Sequence, residues 1–259
     1  MKVLQSFLKH PLTKSTDLDD PKATLLHRQI IESNPFLQQI YSEWYRLLIS
    51  NLPAPSYVPL LELGSGAGFP AQCMRSVIRS DIMQVDNIDL VCDAQQIPIF
   101  DDSLSGIFMI NVLHHLVDPK LFFLEAGRCL VQGGFIVMIE PWKTTWSQFV
   151  YHRLHHEPFD TDTTCWGSSP GKPLANANGA VPWIIFSRDK KIFQHEFPQW
   201  HIDKIQPMMP FIYTLSGGLS FRNLMPRWSY KFWRMVENWL HPYIDHCGMF
   251  AIIVLRKVT

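Results

Sequence analysis

The residues best suited to chemistry stand at the ends of short apolar runs. Leu61-Glu62-Leu63-Gly64-Ser65-Gly66-Ala67-Gly68 follows a run that begins at Val58. Glycines at alternate positions strip side chains from a tight turn, so a ligand can lie against the backbone. Asp81 ends the next strand-like segment, where a carboxylate can accept hydrogen bonds from both hydroxyls of a ribose. Asp86 competes for that role but follows the segment less directly. Asp93 closes a third run, Asp89-Leu90-Val91-Cys92-Asp93-Ala94, and can accept a bond from the amino group of adenine. Asn111 closes a fourth run, Phe108-Met109-Ile110-Asn111. Together these residues suit a nucleoside ligand lying across strand ends. Each also has a plainer reading: a tight turn for the glycines, solvated loop carboxylates for Asp81 and Asp86, and a turn cap for Asp93.

Histidines supply the candidate bases, because the imidazole pKa lies near neutrality. His114 and His115 follow the fourth run directly. His152, His155 and His156 form a second group, followed by Glu157. Their spacing can bring several onto one helical face, but no further ligand pattern accompanies them, so no metal site is expected. Trp142, Trp146, Trp166 and Trp183 fall in the irregular zone beyond, as an apolar lid or as a satellite core.

The elements that must position these groups fall into three zones. Residues 1–56 read as a helical cap, with Asn34 and Pro35 starting a helix that carries Phe36, Ile40, Trp44 and Leu47, and Pro53 and Pro55 ending it. Residues 57–141 alternate strand and helix: strands near 58–63, 76–80, 88–92, 107–111 and 135–139, and a helix opened by Asp118-Pro119 and stopped by Gly133-Gly134. Alternation of this kind implies a parallel sheet with right-handed crossovers. Residues 142–248 are an aromatic-rich, irregular region within a 57–259 domain. It contains a long loop at 160–182, a short helix from Ser187 to Phe193 and a strand at 201–206. An amphipathic helix at 228–240 carries Phe232, Met235, Val236 and Trp239 on one side. That side is expected to pack on the sheet, with peripheral membrane or partner contact as the second reading. Residues 249–255 form a closing strand.

Composition limits the function. The chain has 259 residues, with 23 Lys plus Arg against 23 Asp plus Glu. A neutral balance lacks the broad positive field of a nucleic-acid binder. The five cysteines are scattered and include no C-x-x-C pair, which argues against a disulfide framework or zinc site and for a cytoplasmic setting. No apolar window is long enough for a membrane-spanning segment.

Four segments in order carry a family resemblance. Glu62-x-Gly64-x-Gly66-x-Gly68 resembles motif I of class I S-adenosylmethionine (SAM) dependent methyltransferases. The segment Asp93 to Ser103, with Ile97-Pro98-Ile99-Phe100 inside it, resembles that family's "D-A-x-x-L-P-F-x-D-x-S". Asn111 to Leu116 resembles its "N-V-L-H-H-L", and Glu125 to Gly134 its "E-x-x-R-V-L-K-P-G-G". The closest flavour is the type 11, ubiquinone/menaquinone methyltransferase-like branch. The resemblance implies a Rossmann-like seven-stranded α/β fold, with N-terminal helices and a helical insert before the last strand. It also implies SAM as cofactor. Glu62, Gly64, Ser65, Gly66 and Gly68 would hold the methionine part, Asp81 the ribose and Asp93 with Ala94 the adenine. Asn111 would lie beside the methionine part. The catalytic base would come from His114, His115, His155 or His156. The acceptor would be a small molecule, a lipid or a glycan. The segment between Gly68 and Asp93 is shorter than usual, which implies a helix reduced to a loop. Two rivals remain: an NAD(P)-dependent oxidoreductase, on the loose fingerprint Gly66-x-Gly68-x-x-Ala71, and a non-catalytic SAM-binding module.

Overall fold

The computed structural model describes residue 10 and residues 21–53, 57–66, 76–154, 158–167, 177–223 and 225–259. Seven strands form one sheet: β1 Leu60–Leu63, β2 Val77–Asp81, β3 Leu90–Val91, β4 Leu104–Ile110, β5 Leu130–Pro141, β6 Trp200–Met208 and β7 Phe250–Lys257. Their order is β3-β2-β1-β4-β5-β7-β6. The first five pair in parallel, and β7 runs antiparallel to both β5 and β6. This is the Rossmann-like class I methyltransferase arrangement that the family resemblance implied, and it contains the parallel sheet expected from alternating strands and helices. The central strands are covered on both faces, so β4, β5 and β7 read as continuous apolar runs rather than alternating ones. In β5 and β7, Ile139 pairs with Ile252 and Val137 with Val254.

Two helices precede the sheet, α1 Pro21–Ser33 and α2 Pro35–Ser50. Asn34 divides them. Its side chain accepts the Leu37 N–H at 3.1 Å and donates to the Ser216 carbonyl at 3.0 Å. Phe36, Leu37, Ile40, Trp44 and Leu48 turn one face of α2 into the core shared with the sheet. Helix α2 ends at Ser50 on an Asn51 cap, ahead of Pro53; Pro55 lies outside the described residues.

Helix α3, Pro119–Cys129, opens on Asp118, whose carboxylate accepts the Lys120 N–H at 2.9 Å. It ends before Gly133 and Gly134. The Leu130 N–H caps the turn, and both glycines lie within β5, Gly133 at φ +77°. After β5 come α4 Thr145–Leu154, α5 Val181–Trp183 and α6 Lys190–Glu196. The helix expected from Ser187 in fact begins at Val181. It passes through a π turn over Ile184–Arg188, because a run of buried apolar side chains, Val181, Ile184, Ile185 and Phe186, is drawn under the sheet. The stretch expected as loop to 182 therefore ends two residues earlier, at the start of α5.

The insert between β6 and β7 holds α7 Ile212–Leu215, α8 Tyr230–Trp239 and α9 Ile244–Cys247. Here the structure corrects the sequence. The side of α8 that carries Phe232, Met235 and Trp239 does not pack on the sheet but faces outward. The side turned inward carries Tyr230, Trp233 and Glu237. The reason is a polar network that anchors the helix from its charged side. No helix among the described residues is long and apolar enough to cross a membrane.

Candidate functional site

The carboxyl ends of the parallel strands bring most of the predicted residues together. The bend after β1 needs a glycine first at Gly64, which sits at φ +65°; an added Cβ there would collide with Val112 Cγ2. The bend is thus packed directly against the loop after β4. The Ser65 N–H donates to the Ser80 carbonyl at 2.8 Å, and the Ser80 hydroxyl to the Glu62 carbonyl at 2.8 Å, which ties β1 to β2.

Asp81 ends β2 facing this bend. Its two carboxylate oxygens accept the Gly66 N–H at 2.8 Å and the Met83 N–H at 2.9 Å. Each oxygen keeps a further lone pair. Asp86 lies exposed in the turn that follows, away from these contacts. Asp93 is exposed and forms a turn cap, accepting the Gln95 N–H at 2.8 Å, while Ala94 beside it is buried. Gln95 also accepts the Asp118 N–H at 2.6 Å, so the loop after β3 is joined to the start of α3.

Asn111 occupies the tip of β4 at φ +55°, a left-handed conformation that asparagine tolerates better than most residues. Its Oδ1 is buried with no hydrogen-bond partner. The Ser65 hydroxyl is buried too and turns toward Glu62 without reaching hydrogen-bond geometry. Unsatisfied buried polar atoms are costly, and their usual explanation is a missing partner. A side-chain-free bend flanked by unpaired acceptors therefore fits a ligand that brings its own donors.

Glu62 is buried at the end of β1, and burial raises its pKa. The Tyr45 hydroxyl of α2 donates to it, and the Tyr45 ring packs edge-on to Phe108 of β4. Thr24 of α1 lies over Gly66. Tyr45 went unnoticed in the sequence because its apolar neighbours make it look like one more core aromatic.

Glu140 was also missed. It ends β5 and is fully buried. One carboxylate oxygen accepts the Val112 and Leu113 N–H groups at 2.8 and 2.7 Å, and the other meets His114 Nδ1 at 2.6 Å. Burial pushes Glu140 up to about 7 and His114 down to about 3, so His114 is uncharged near neutrality. His115 is half-buried beside it, the two rings 4.1 Å apart. The one available signal was an acidic residue closing an apolar strand, as Glu62 closes β1.

The motif Glu125-x-x-Arg128 serves as a clamp. Arg128 donates to the Ile97 and Ile99 carbonyls at 2.8 Å each and pairs with Glu125 and Asp101, while Glu125 accepts the Ile97 N–H at 3.0 Å. This fixes the segment after Asp93. Of the tryptophans, Trp142 and Trp166 are buried in the core, the latter packed on Phe193. Trp183 lies under the Lys143 ammonium at 4.0 Å, and Trp146 is partly exposed. Gly68, His155 and His156 lie outside the described residues, as do residues 69–75 of the segment expected to have lost a helix, whose described part holds β2 and β3; His152 is exposed on α4. Among the described residues no three His, Cys, Asp or Glu converge as metal ligands.

Residues 61–138 match the family described as "Methyltransferase domain". No curated protein matches by sequence. Among solved structures, the chain is similar to geranyl diphosphate C-methyltransferase from Streptomyces coelicolor A3(2), in complex with Mg2+, geranyl diphosphate and S-adenosyl-L-homocysteine. That likeness has 14% identity and TM-score 0.52 and covers 97% of this chain and 92% of the other. It is similar to geranyl diphosphate methyltransferase in complex with SAM, with 13% identity, TM-score 0.52, and 93% and 94% covered. It also resembles phosphoethanolamine N-methyltransferase 2 of Haemonchus contortus in complex with SAM, with 12% identity, TM-score 0.50, and 93% and 58% covered. The family match lies on the glycine bend and the strand ends, so residues 61–138 carry the match to a methyltransferase domain, and the chain as a whole shares the fold of these structures.

Proposed function

We propose that this chain transfers a methyl group from SAM to a small-molecule, lipid or glycan acceptor with an apolar part. The observation that carries the reading is the bend at Gly64–Gly66, bounded by Asp81 and by the unpaired Asn111 Oδ1. Glu62, Ser65, Gly64 and Gly66 would hold the methionine part, joined by Asn111. The free lone pairs of Asp81 would take the ribose hydroxyls. Asp93, with Ala94 beside it, would face the adenine. When bound, SAM supplies an electrophilic methyl on a sulfonium.

The chain's own task is to orient the acceptor and exclude water. Helices α1 and α2 close over the bend through Thr24 and Tyr45, with Tyr45 fixing Glu62. Glu140 orients the loop Val112–His114, and His115 at its end is our candidate for holding or accepting a proton from the acceptor. His114, buried and uncharged, acts as a positioning residue. The acceptors named for the similar structures, geranyl diphosphate and phosphoethanolamine, are both small molecules, which supports that class.

Calorimetry with SAM, S-adenosylhomocysteine, NADH and NADPH tests the reading. The first two should bind and the last two should not. Binding of a nicotinamide dinucleotide alone would move the chain to the oxidoreductases. Tight SAM binding without turnover on any acceptor of the three classes would favour a non-catalytic module.

A further inference from the structure

An ordinary surface helix turns its apolar stripe to the core, but helix α8 leaves much of its apolar surface outside. The side turned into the protein is mixed, with Trp233 packed on Phe211 and the polar groups of Tyr230, Arg234 and Glu237 beside it. Glu237 is buried and accepts the Phe211 and Ile212 N–H groups at 2.9 and 2.8 Å. Arg234 reaches both Glu237 and Glu43 of α2 at 2.6 Å. The Tyr230 hydroxyl donates to Glu43 at 2.6 Å, and the Tyr230 ring packs edge-on against Phe36. The apolar side faces outward. Trp239 is 70% exposed, Phe232 51% and Met235 44%. Trp228, in the turn just before the helix, is 82% exposed, and Tyr243, in the turn after it, 63%.

Burying polar groups to hold a helix while leaving its large apolar side chains in water is unfavourable for an isolated monomer. Two observations indicate what covers this face. The first is residue type. Tryptophan and tyrosine at the two ends, with Phe232 and Met235 between, are the side chains that suit a boundary between water and hydrocarbon. The second is charge. The charged residues exposed beside the face are Arg227 and Lys231, and the one carboxylate of α8, Glu237, is buried. Asp245, in α9, is the nearest exposed acidic residue along the chain. The chain as a whole is balanced at 23 positive and 23 negative residues, so this basic edge is a local feature. Aromatics, methionine and arginine suit a protein interface as well, but lysine is depleted there, so Lys231 on the exposed edge is what favours the anionic membranes on which basic-edged amphipathic helices lie.

We propose that this face docks on an anionic lipid bilayer. Helix α8 lies in the plane of the headgroups, Trp228, Phe232, Met235 and Trp239 enter the acyl boundary, and Arg227 and Lys231 meet lipid phosphates. The docking does not depend on methyl transfer and can be tested without it.

The test is co-flotation of the full chain with vesicles of phosphatidylcholine alone or mixed with phosphatidylglycerol. The chain should float with the mixed vesicles and bind roughly tenfold or more weakly to the neutral ones or at high salt. Brominated acyl chains should quench its tryptophan fluorescence. The variant Trp228→Ser/Phe232→Ser/Trp239→Ser should lose both flotation and quenching while keeping its circular dichroism and thermal midpoint, since these side chains face outward. Arg227→Glu/Lys231→Glu should lose the preference for anionic lipid. Failure of the wild-type chain to float with either vesicle overturns the proposal, as does flotation that the triple variant retains. Self-association abolished by the triple variant, without vesicle binding, would give the face to a second copy instead.

Discussion

Two buried glutamates end strands of the same sheet, and their surroundings differ. Glu140 at the end of β5 is saturated: two backbone N–H groups and a histidine from one short loop take both of its oxygens. Glu62 at the end of β1 is held by the single hydroxyl of Tyr45, reached from a separate helix, with an unbonded serine hydroxyl beside it and an unpaired Asn111 oxygen on β4. A carboxylate whose bonds are all made within the protein is architecture. An edge left with spare acceptors is a place for a ligand. The contrast divides one row of strand ends into a part closed on itself and a part left open to a ligand.

The largest effect should come from the saturated side. Glu140→Ala leaves three buried donors without their acceptor, and at roughly 1 kcal/mol or more for each the fold should lose about 3 kcal/mol in urea unfolding. The same residue sets a pH dependence. An acid whose folded pKa, here about 7, lies above its ordinary value holds its proton more tightly when folded. Taken alone, Glu140 makes stability fall as pH rises from the ordinary carboxylate range toward 7, while His114, held down to about 3, binds fewer protons when folded and opposes that fall over the same range. Glu140→Gln should remove the falling contribution and make stability rise more steeply with pH below 7; an unchanged profile would assign the falling contribution to another group.

Gly64→Ala comes next. It strains a left-handed backbone and drives a methyl into Val112, at a cost of about 2 kcal/mol in stability, with cofactor affinity lost besides. Asn111→Gly should separate the two sides most cleanly. Stability should hold or rise, because glycine suits φ +55° and no bond is lost, yet SAM affinity should drop about tenfold, or about 1.4 kcal/mol. A loss of stability with unchanged affinity in calorimetry would erase the comparison. The smallest effect belongs to Gly133→Ala: φ is +77° but nothing lies within 4 Å of the added methyl, so about 1 kcal/mol of backbone strain is all it should show.

The parallel strands were legible because most are short apolar runs ended by glycine, asparagine or a carboxylate, and such runs have few alternatives when helices alternate with them. The candidate binding residues were legible for the same reason: Gly64, Asp81 and Asn111 stand where the runs stop. Glu140 was not, because its partners are backbone groups of residues 112 and 113, which carry no side-chain signature. The orientation of α8 was not legible either. Periodicity tells that two sides differ, not which one meets the protein; that was decided by Glu43, far away in sequence, pairing with Arg234 and Tyr230. Tyr45 and Glu62 pose the same difficulty across a shorter gap.

Helix α2 has one further consequence. Glu43 and Tyr45 leave it on opposite sides, one tied to α8 and the other to the carboxylate that closes β1. It works as a short lever pinned at two points. A push on the outer helix must either tear the pin at Glu43 or be felt at Glu62, so whatever leans on the surface of this protein also leans on the floor of its bend.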